Sequence, residues 1–165
     1  MGQLLYQIAV SSRPRQWLKN GALFAALVFS GNLFFWPDFI KTLWAVAIFS
    51  LLTSAVYIFN DVLDIESDRL HPFKKLRPIA KGDLPIPVAL FVLILLIFLS
   101  LYLALNLSFF FFLASLVYLA LQAFYSLVLK TYVIFDVLVI ASGFILRVMA
   151  GAFVIGVHMS GWFYL

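Results

Sequence analysis

Between Asp83 and Lys130 the chain has no charged side chain, and leucine, phenylalanine, valine, isoleucine and alanine fill most of the interval. Water cannot be the solvent for such a stretch. A bilayer core needs about 20 consecutive apolar residues per helical span, and the interval divides into two spans at the polar residues Asn106 and Ser108. The rest of the chain agrees: 65% of its 165 residues are hydrophobic and 11% are charged. A soluble domain would hold about 25% charged residues and less than half apolar ones. The sequence therefore belongs to an integral membrane protein.

Five apolar segments can be read: about Gly21–Trp36, short and closed by Pro37; about Thr42–Asn60; from Pro87 to about Asn106; about Leu107–Leu129; and about Val133–Val157. In hydrocarbon every backbone N–H and C=O must be bonded within the protein, which leaves helices or closed barrels. The runs lack the alternation of barrel strands. The expected fold class is all-α, a polytopic transmembrane helix bundle, with residues 1–165 forming one domain. There is no cysteine, which excludes disulfides, thiolate metal sites and cysteine nucleophiles. The N-terminal segment has its basic residues after its first apolar patch, unlike a secretory signal. Tyr6 occupies the position where a myristoylation signal needs Ser or Thr.

Basic residues give the orientation. Arg13, Arg15, Lys19, Arg69, Lys74, Lys75, Arg77, Lys81 and Lys130 fall on one side of the membrane, and Lys41 alone on the other. The N-terminus, the 61–83 loop and the 130 loop are expected in the cytoplasm, the chain being a multi-pass protein of the cell (inner) membrane. The apolar ending GWFYL leads to the expectation that these residues are the N-terminal part of a longer chain with about four more spans, which would bury the polar faces.

The segment NDVLDIESDRLHPFKKLRPIAKG, Asn60 to Gly82, holds nine of the chain's 11 basic and 7 acidic residues. Topology accounts for its bases. It does not account for Asp61, Asp64 and Asp68 at the C-terminal end of a span, where the helix dipole disfavours carboxylates. On a continuous helix Asn60, Asp64 and Asp68 recur every four residues with Asp61 beside them, all on one face. Adjacent carboxylates would sit roughly 6 Å apart and repel unless a cation lies between them. Mg²⁺, which binds through one or two carboxylates plus phosphate oxygens, suits the spacing. Glu66 falls on another face and is expected in solvent.

The pattern N-D-x-x-D-x-x-x-D resembles the first aspartate-rich motif of the UbiA superfamily of intramembrane prenyltransferases. The continuation HPFKKLRPIAKG is similar to the same family's basic segment and R-P-[IL]-x-x-G turn. With RPRQWLKN (Arg13 to Asn20) and YSLVLK, the resemblance covers about residues 11–157. It is greatest to the branch that transfers phosphoribose from phosphoribosyl pyrophosphate to decaprenyl or another polyprenyl phosphate, for cell-envelope precursor synthesis. The resemblance implies a bundle of nine helices, of which about five are found here, and Mg²⁺ held by Asn60, Asp61, Asp64 and Asp68. The implied partners are phosphoribosyl pyrophosphate, a polyprenyl phosphate lipid and the membrane; no nucleic acid is expected, and assembly of several copies is compatible with this reading. The family's second motif commonly carries two aspartates, whereas YSLVLKTYVIFD supplies Tyr125, Lys130 and the single acid Asp136.

Candidate phosphate-binding residues are Lys74, Lys75 and Arg77 for the donor, and Arg13, Arg15, Lys19 and Lys130 for donor or lipid; for each one alone, topology and anionic lipid explain its presence equally well. Asp136, Gly143 and Arg147 return to one face of the last span, so Arg147 is expected inside the bundle. It would there form either a structural ion pair or a phosphate contact. Ala152 and Gly156 fit close helix packing. The acceptor phosphate is already anionic, so no catalytic histidine is required; His71 is expected in solvent and His158 on the far side. Two other readings stay open: an aromatic prenyltransferase that uses a prenyl diphosphate at the same site, and an inactive fragment or non-catalytic membrane subunit.

Overall fold

The computed structural model describes residues 2–131 and 133–157. Within them the chain is an all-α membrane bundle. Four helices are long and apolar enough to cross a bilayer: α3 (Trp36–Leu63), α6 (Ile86–Leu107), α7 (Phe109–Leu127) and α8 (Val133–Ile155). Four shorter helices lie before and between them: α1 (Gly2–Ser11), α2 (Phe24–Phe29), α4 (Ile65–Leu70) and α5 (Pro78–Lys81). The ending GWFYL and His158 lie outside the described residues.

The first apolar segment departs from expectation. In place of a helix over 21–36, a 3₁₀ helix runs Pro14–Leu23, followed by α2 and a 3₁₀ turn at Asn32–Phe34. In a 3₁₀ helix side chains three apart share an edge, and runs beyond four residues are uncommon. Here Trp17, Asn20 and Leu23 occupy that edge, and tertiary contacts hold it. Trp17 Nε1–H donates to Ser54 Oγ at 2.9 Å, and Asn20 Nδ2–H donates to Ser50 Oγ at 3.0 Å and Thr53 Oγ1 at 3.3 Å. Leu23 is fully buried. Arg13 meets Asp61 near one end of α3, and Asn32 meets Asp38 near the other. The segment therefore runs antiparallel to α3 along nearly its whole length. At about 2.0 Å per 3₁₀ residue and 1.5 Å per α residue, Pro14–Phe29 extends about 30 Å, enough for the hydrocarbon core. Pro37 does not close this segment; it sits in the first turn of α3, where its missing N–H costs nothing.

The turn between α6 and α7 is a single residue. Ser108 caps α7, its Oγ accepting from Phe111 N–H at 3.5 Å, and Asn106 and Ser108 do divide the long apolar stretch. Two apolar cores hold the bundle. One gathers Leu23, Ala45, Phe49, Phe111 and Ala150; the other gathers Ala55, Ile58, Ile79, Leu84, Ala89 and Leu93 around the acid-rich end. Ala152 is buried, but Gly156 has open space around it and a φ of +67°, so it ends α8. The close approach is made by Gly151 instead, where a Cβ would overlap the Leu23 carbonyl.

Candidate active site at the acid-rich end

The single acidic helix expected through Asp68 is interrupted. α3 ends at Leu63, Asp64 takes φ −96° and ψ 9°, and α4 begins at Ile65. The interruption sorts the three aspartates. Asp61 is 2% exposed and Asp68 is 1% exposed, and both turn toward Arg77, whose Nη1 lies 3.1 Å from Asp61 Oδ1 and 2.6 Å from Asp68 Oδ2. Arg13 also pairs with Asp61, and its guanidinium lies 4.9 Å from the Tyr57 ring centroid. Asp64 turns away and pairs with Lys130. Asn60 Oδ1 accepts from the Ser126 hydroxyl on α7.

Arg77 is held where it is by its neighbours. Pro78 and Ile79 are buried, and the Pro78 carbonyl accepts from Gly82 N–H at 3.1 Å and Leu84 N–H at 3.0 Å. Gly82 has φ +91°, a conformation glycine adopts without strain. Arg69 Nε–H donates to the Ala80 carbonyl at 3.1 Å. The loop is thus folded back onto the second core, and Arg77 leaves it at the level of Asp61. His71 is more than a solvated side chain: its Nδ1 accepts from the N–H groups of Phe73 and Lys74 at 3.2 and 3.3 Å.

Arg15, Lys19, Lys74 and Lys75 are exposed and make no ion pair among the described residues. Glu66 is exposed as expected. With Asp61, Asp64 and Asp68 answered by Arg13, Arg77 and Lys130, these four bases leave the acid-rich end positive. That charge draws anions to its mouth. Tyr125 donates to Asp136 Oδ1 at 2.6 Å, so Asp136 does not turn toward Arg147. Arg147 itself is inside the bundle at 6% exposure, with no carboxylate partner among the described residues. It donates to Asn20 Oδ1, the Gly143 carbonyl and Tyr118 Oη.

Metal binding can be tested against this geometry. Among the described residues no three acids or histidines converge on one point, so the four-ligand set Asn60, Asp61, Asp64 and Asp68 is not assembled. Asp61 and Asp68 do converge, on the single cationic nitrogen of Arg77. Two carboxylates around one positive centre is a set that suits Mg²⁺ once the Arg77 guanidinium gives up its place to the ion. The residues present fit a divalent ion in that form.

Sequence reasoning did not reach Ser126, Tyr118, Gln122 or Tyr57, nor the role of Asn20 as the link between α3 and α8. A polar side chain inside an apolar segment was the available signal for each. A helical membrane bundle with buried carboxylates and arginines gathered at one end defines a class of intramembrane enzyme scaffolds. The chain belongs to the UbiA prenyltransferase family, which it matches over residues 21–165. It is 39% identical to the decaprenyl-phosphate phosphoribosyltransferase of Corynebacterium glutamicum, over 93% of this chain and 47% of that protein. It is 37% identical to the protein of the same name from Mycobacterium tuberculosis, over 98% of this chain and 55% of that one. It is 30% identical to the nodulation protein NoeC of Azorhizobium caulinodans, over 85% and 45%. The chain thus spans about half the length of the curated relatives it matches.

Proposed function

We propose that this chain carries the donor-binding site of a Mg²⁺-dependent transferase that moves phosphoribose from phosphoribosyl pyrophosphate to a polyprenyl phosphate. The reaction takes place at the cytoplasmic membrane face and serves cell-envelope precursor synthesis. The observation that carries this reading is the convergence of buried Asp61 and Asp68 on one cationic centre, beneath a mouth of unpaired bases. The names of the relatives support the choice of substrates.

Asp61 and Asp68 would hold Mg²⁺, and Asp64 and Asn60, now bonded to Lys130 and Ser126, would join them only by turning inward; when bound, the ion would neutralise charge on the departing pyrophosphate. Arg77 now fills the point between the two carboxylates; with the ion in that place, its guanidinium would be released to take donor phosphate through its N–H groups. Arg13 pairs with the same Asp61 oxygen that Arg77 contacts. Lys74 and Lys75 bring phosphate to the mouth, and Arg15, Lys19 and Lys130 stand where either substrate's phosphate would pass. The lipid phosphate oxygen attacks the anomeric carbon of the ribose as the bond to pyrophosphate breaks, and pyrophosphate leaves with the electron pair. The attacking oxygen is already ionised, so no side chain has to remove a proton.

Membranes containing the chain, given radiolabelled phosphoribosyl pyrophosphate and polyprenyl phosphate, should yield labelled lipid. EDTA should abolish the label and Mg²⁺ restore it, and Asp68→Asn should lower the rate at least about 100-fold, the scale of losing a metal-site contact. Label appearing only with a prenyl diphosphate and hydroxybenzoate would replace this reading with an aromatic prenyltransferase.

A further inference from the structure

Arg147 is a full positive charge inside a membrane bundle, with no negative charge to meet it among the described residues. Residues 136 to 147 of α8 place its Cα about 16 Å along the axis from Asp136, and Asp136 and Asp61 are occupied elsewhere, Asp136 by Tyr125 and Asp61 by Arg13 and Arg77. Its environment is built with care. Nε–H donates to Asn20 Oδ1 at 2.9 Å, Nη1–H to the Gly143 carbonyl at 2.8 Å, and Nη2–H to Tyr118 Oη at 3.0 Å. The rings of Phe49, Tyr118 and Phe144 lie 5.6, 4.9 and 5.6 Å from its Cζ. Every one of these partners is neutral. They fix the plane of the guanidinium and leave the charge uncompensated, an arrangement that is costly in an apolar interior.

Three of five N–H groups are engaged, leaving one on each terminal nitrogen. Arg147 also lines a cavity of about 130 Å³, together with Lys19, Tyr57, Asn60, Tyr118 and Gln122 among others. Its polar lining carries two bases, Lys19 and Arg147, and includes Asn60, one residue before Asp61, while Val56, Val139, Ile140 and Phe144 complete the wall. At about 30 Å³ per water its volume of about 130 Å³ has room for about four waters, enough for one tetrahedral oxyanion.

We propose that this cavity receives a single phosphate monoester of a substrate, which acts as the counterion of Arg147. Guanidinium presents paired donors to phosphate oxygens, Lys19 adds a second positive charge, and Tyr57, Asn60 and Gln122 can each donate one hydrogen bond. The assignment rests on the reading above for which molecules carry that group: the acceptor's polyprenyl phosphate, or the 5-phosphate of the donor. Arg147 is then a binding residue for a phosphate that the Asp61–Asp68 pair does not touch.

The test measures binding to the full chain in detergent, for the wild type, Arg147→Met, Arg147→Lys and Lys19→Met. The probes are farnesyl phosphate, ribose 5-phosphate, uncharged farnesol and Mg²⁺-pyrophosphate. Arg147→Met removes an uncompensated charge but leaves Asn20 Oδ1 without its donor, so its melting without ligand is measured first to show that it folds. It should bind one of the two monoesters at least tenfold more weakly, Arg147→Lys should recover part of the loss, and farnesol and Mg²⁺-pyrophosphate should bind as before. A loss for farnesyl phosphate assigns the cavity to the acceptor; a loss for ribose 5-phosphate assigns it to the donor. Unchanged affinity for both monoesters overturns the proposal, and so does an equal loss for Mg²⁺-pyrophosphate. If Arg147→Met does not fold, Lys19→Met decides, because its side chain is exposed: a severalfold loss supports the proposal and no change overturns it. Wild-type protein that ignores Mg²⁺-pyrophosphate yet binds a monoester through Arg147 would sink the donor-site reading and leave this one standing.

Discussion

Arg77 ties Asp61 to Asp68, two buried carboxylates that would otherwise repel each other across the start of the 61–83 loop. Removing one partner of a buried ion pair costs about 3 kcal/mol or more, because the other charge is left unmatched; the Arg77 side chain is 25% exposed, which lowers that figure. Arg77→Met should therefore melt below the wild type in detergent by an amount corresponding to about 2 kcal/mol. Added Mg²⁺ should raise the variant's melting temperature by more than the wild type's, since a divalent ion can take the place the guanidinium left. Equal Mg²⁺ effects in the two proteins would mean that the carboxylates do not converge on a cation site.

The first membrane segment and α8 meet where neither has a side chain to spare. Gly151 lies against the backbone of Leu23, so that even a methyl group would overlap the Leu23 carbonyl. Gly151→Ala should push the 3₁₀ helix away from α8 and cost about 1–3 kcal/mol, the range for overpacking. Asn20 moves with that helix, so the variant should also loosen Arg147. Gly21→Ala is the control: a Cβ at Gly21 meets nothing within 4 Å, and its melting temperature should stay within about 0.5 kcal/mol of wild type in equivalent stability. A melting temperature for Gly151→Ala equal to that of the control would show that the two elements do not pack as closely as described.

At the scale of the molecule, the two apolar cores divide the work. The core around Phe49 and Phe111 fastens the spans, and the core around Ile79 and Leu84 seats the loop that delivers Arg77. On the reading proposed here, the uneven distribution of bases would put that loop in the cytoplasm. The chain has no cysteine, so single introduced cysteines report sidedness without interference. Phe34→Cys, at a position 94% exposed, should react with a membrane-impermeant maleimide in intact cells, and Lys75→Cys only after permeabilisation. The opposite pattern would invert the topology and place the acid-rich end outside.

Several features were legible in the sequence because they depend on neighbours along the chain. An interval without charge between Asp83 and Lys130 dictates hydrocarbon and hence helices, Asn106 and Ser108 mark the turn between two spans, and a lone Arg147 in an apolar run has to face inward. The grouping of Asp61, Asp64 and Asp68 with Arg77 was also readable, as a spacing. Their final partners were not. The break at Asp64 separates one aspartate from the other two, and a bond across 66 residues from Lys130 to Asp64 has no local signal. The ten-residue 3₁₀ helix was equally hidden, since its three-residue period is stable only once Ser50, Thr53 and Ser54 of α3 hold Trp17 and Asn20. Solvent and local geometry are properties of composition and period, so the sequence alone determined the medium, the fold class and the end of the bundle where charge collects. Which charges meet depends on distances between residues far apart in the chain, and only the packing of α3, α7 and α8 decided those.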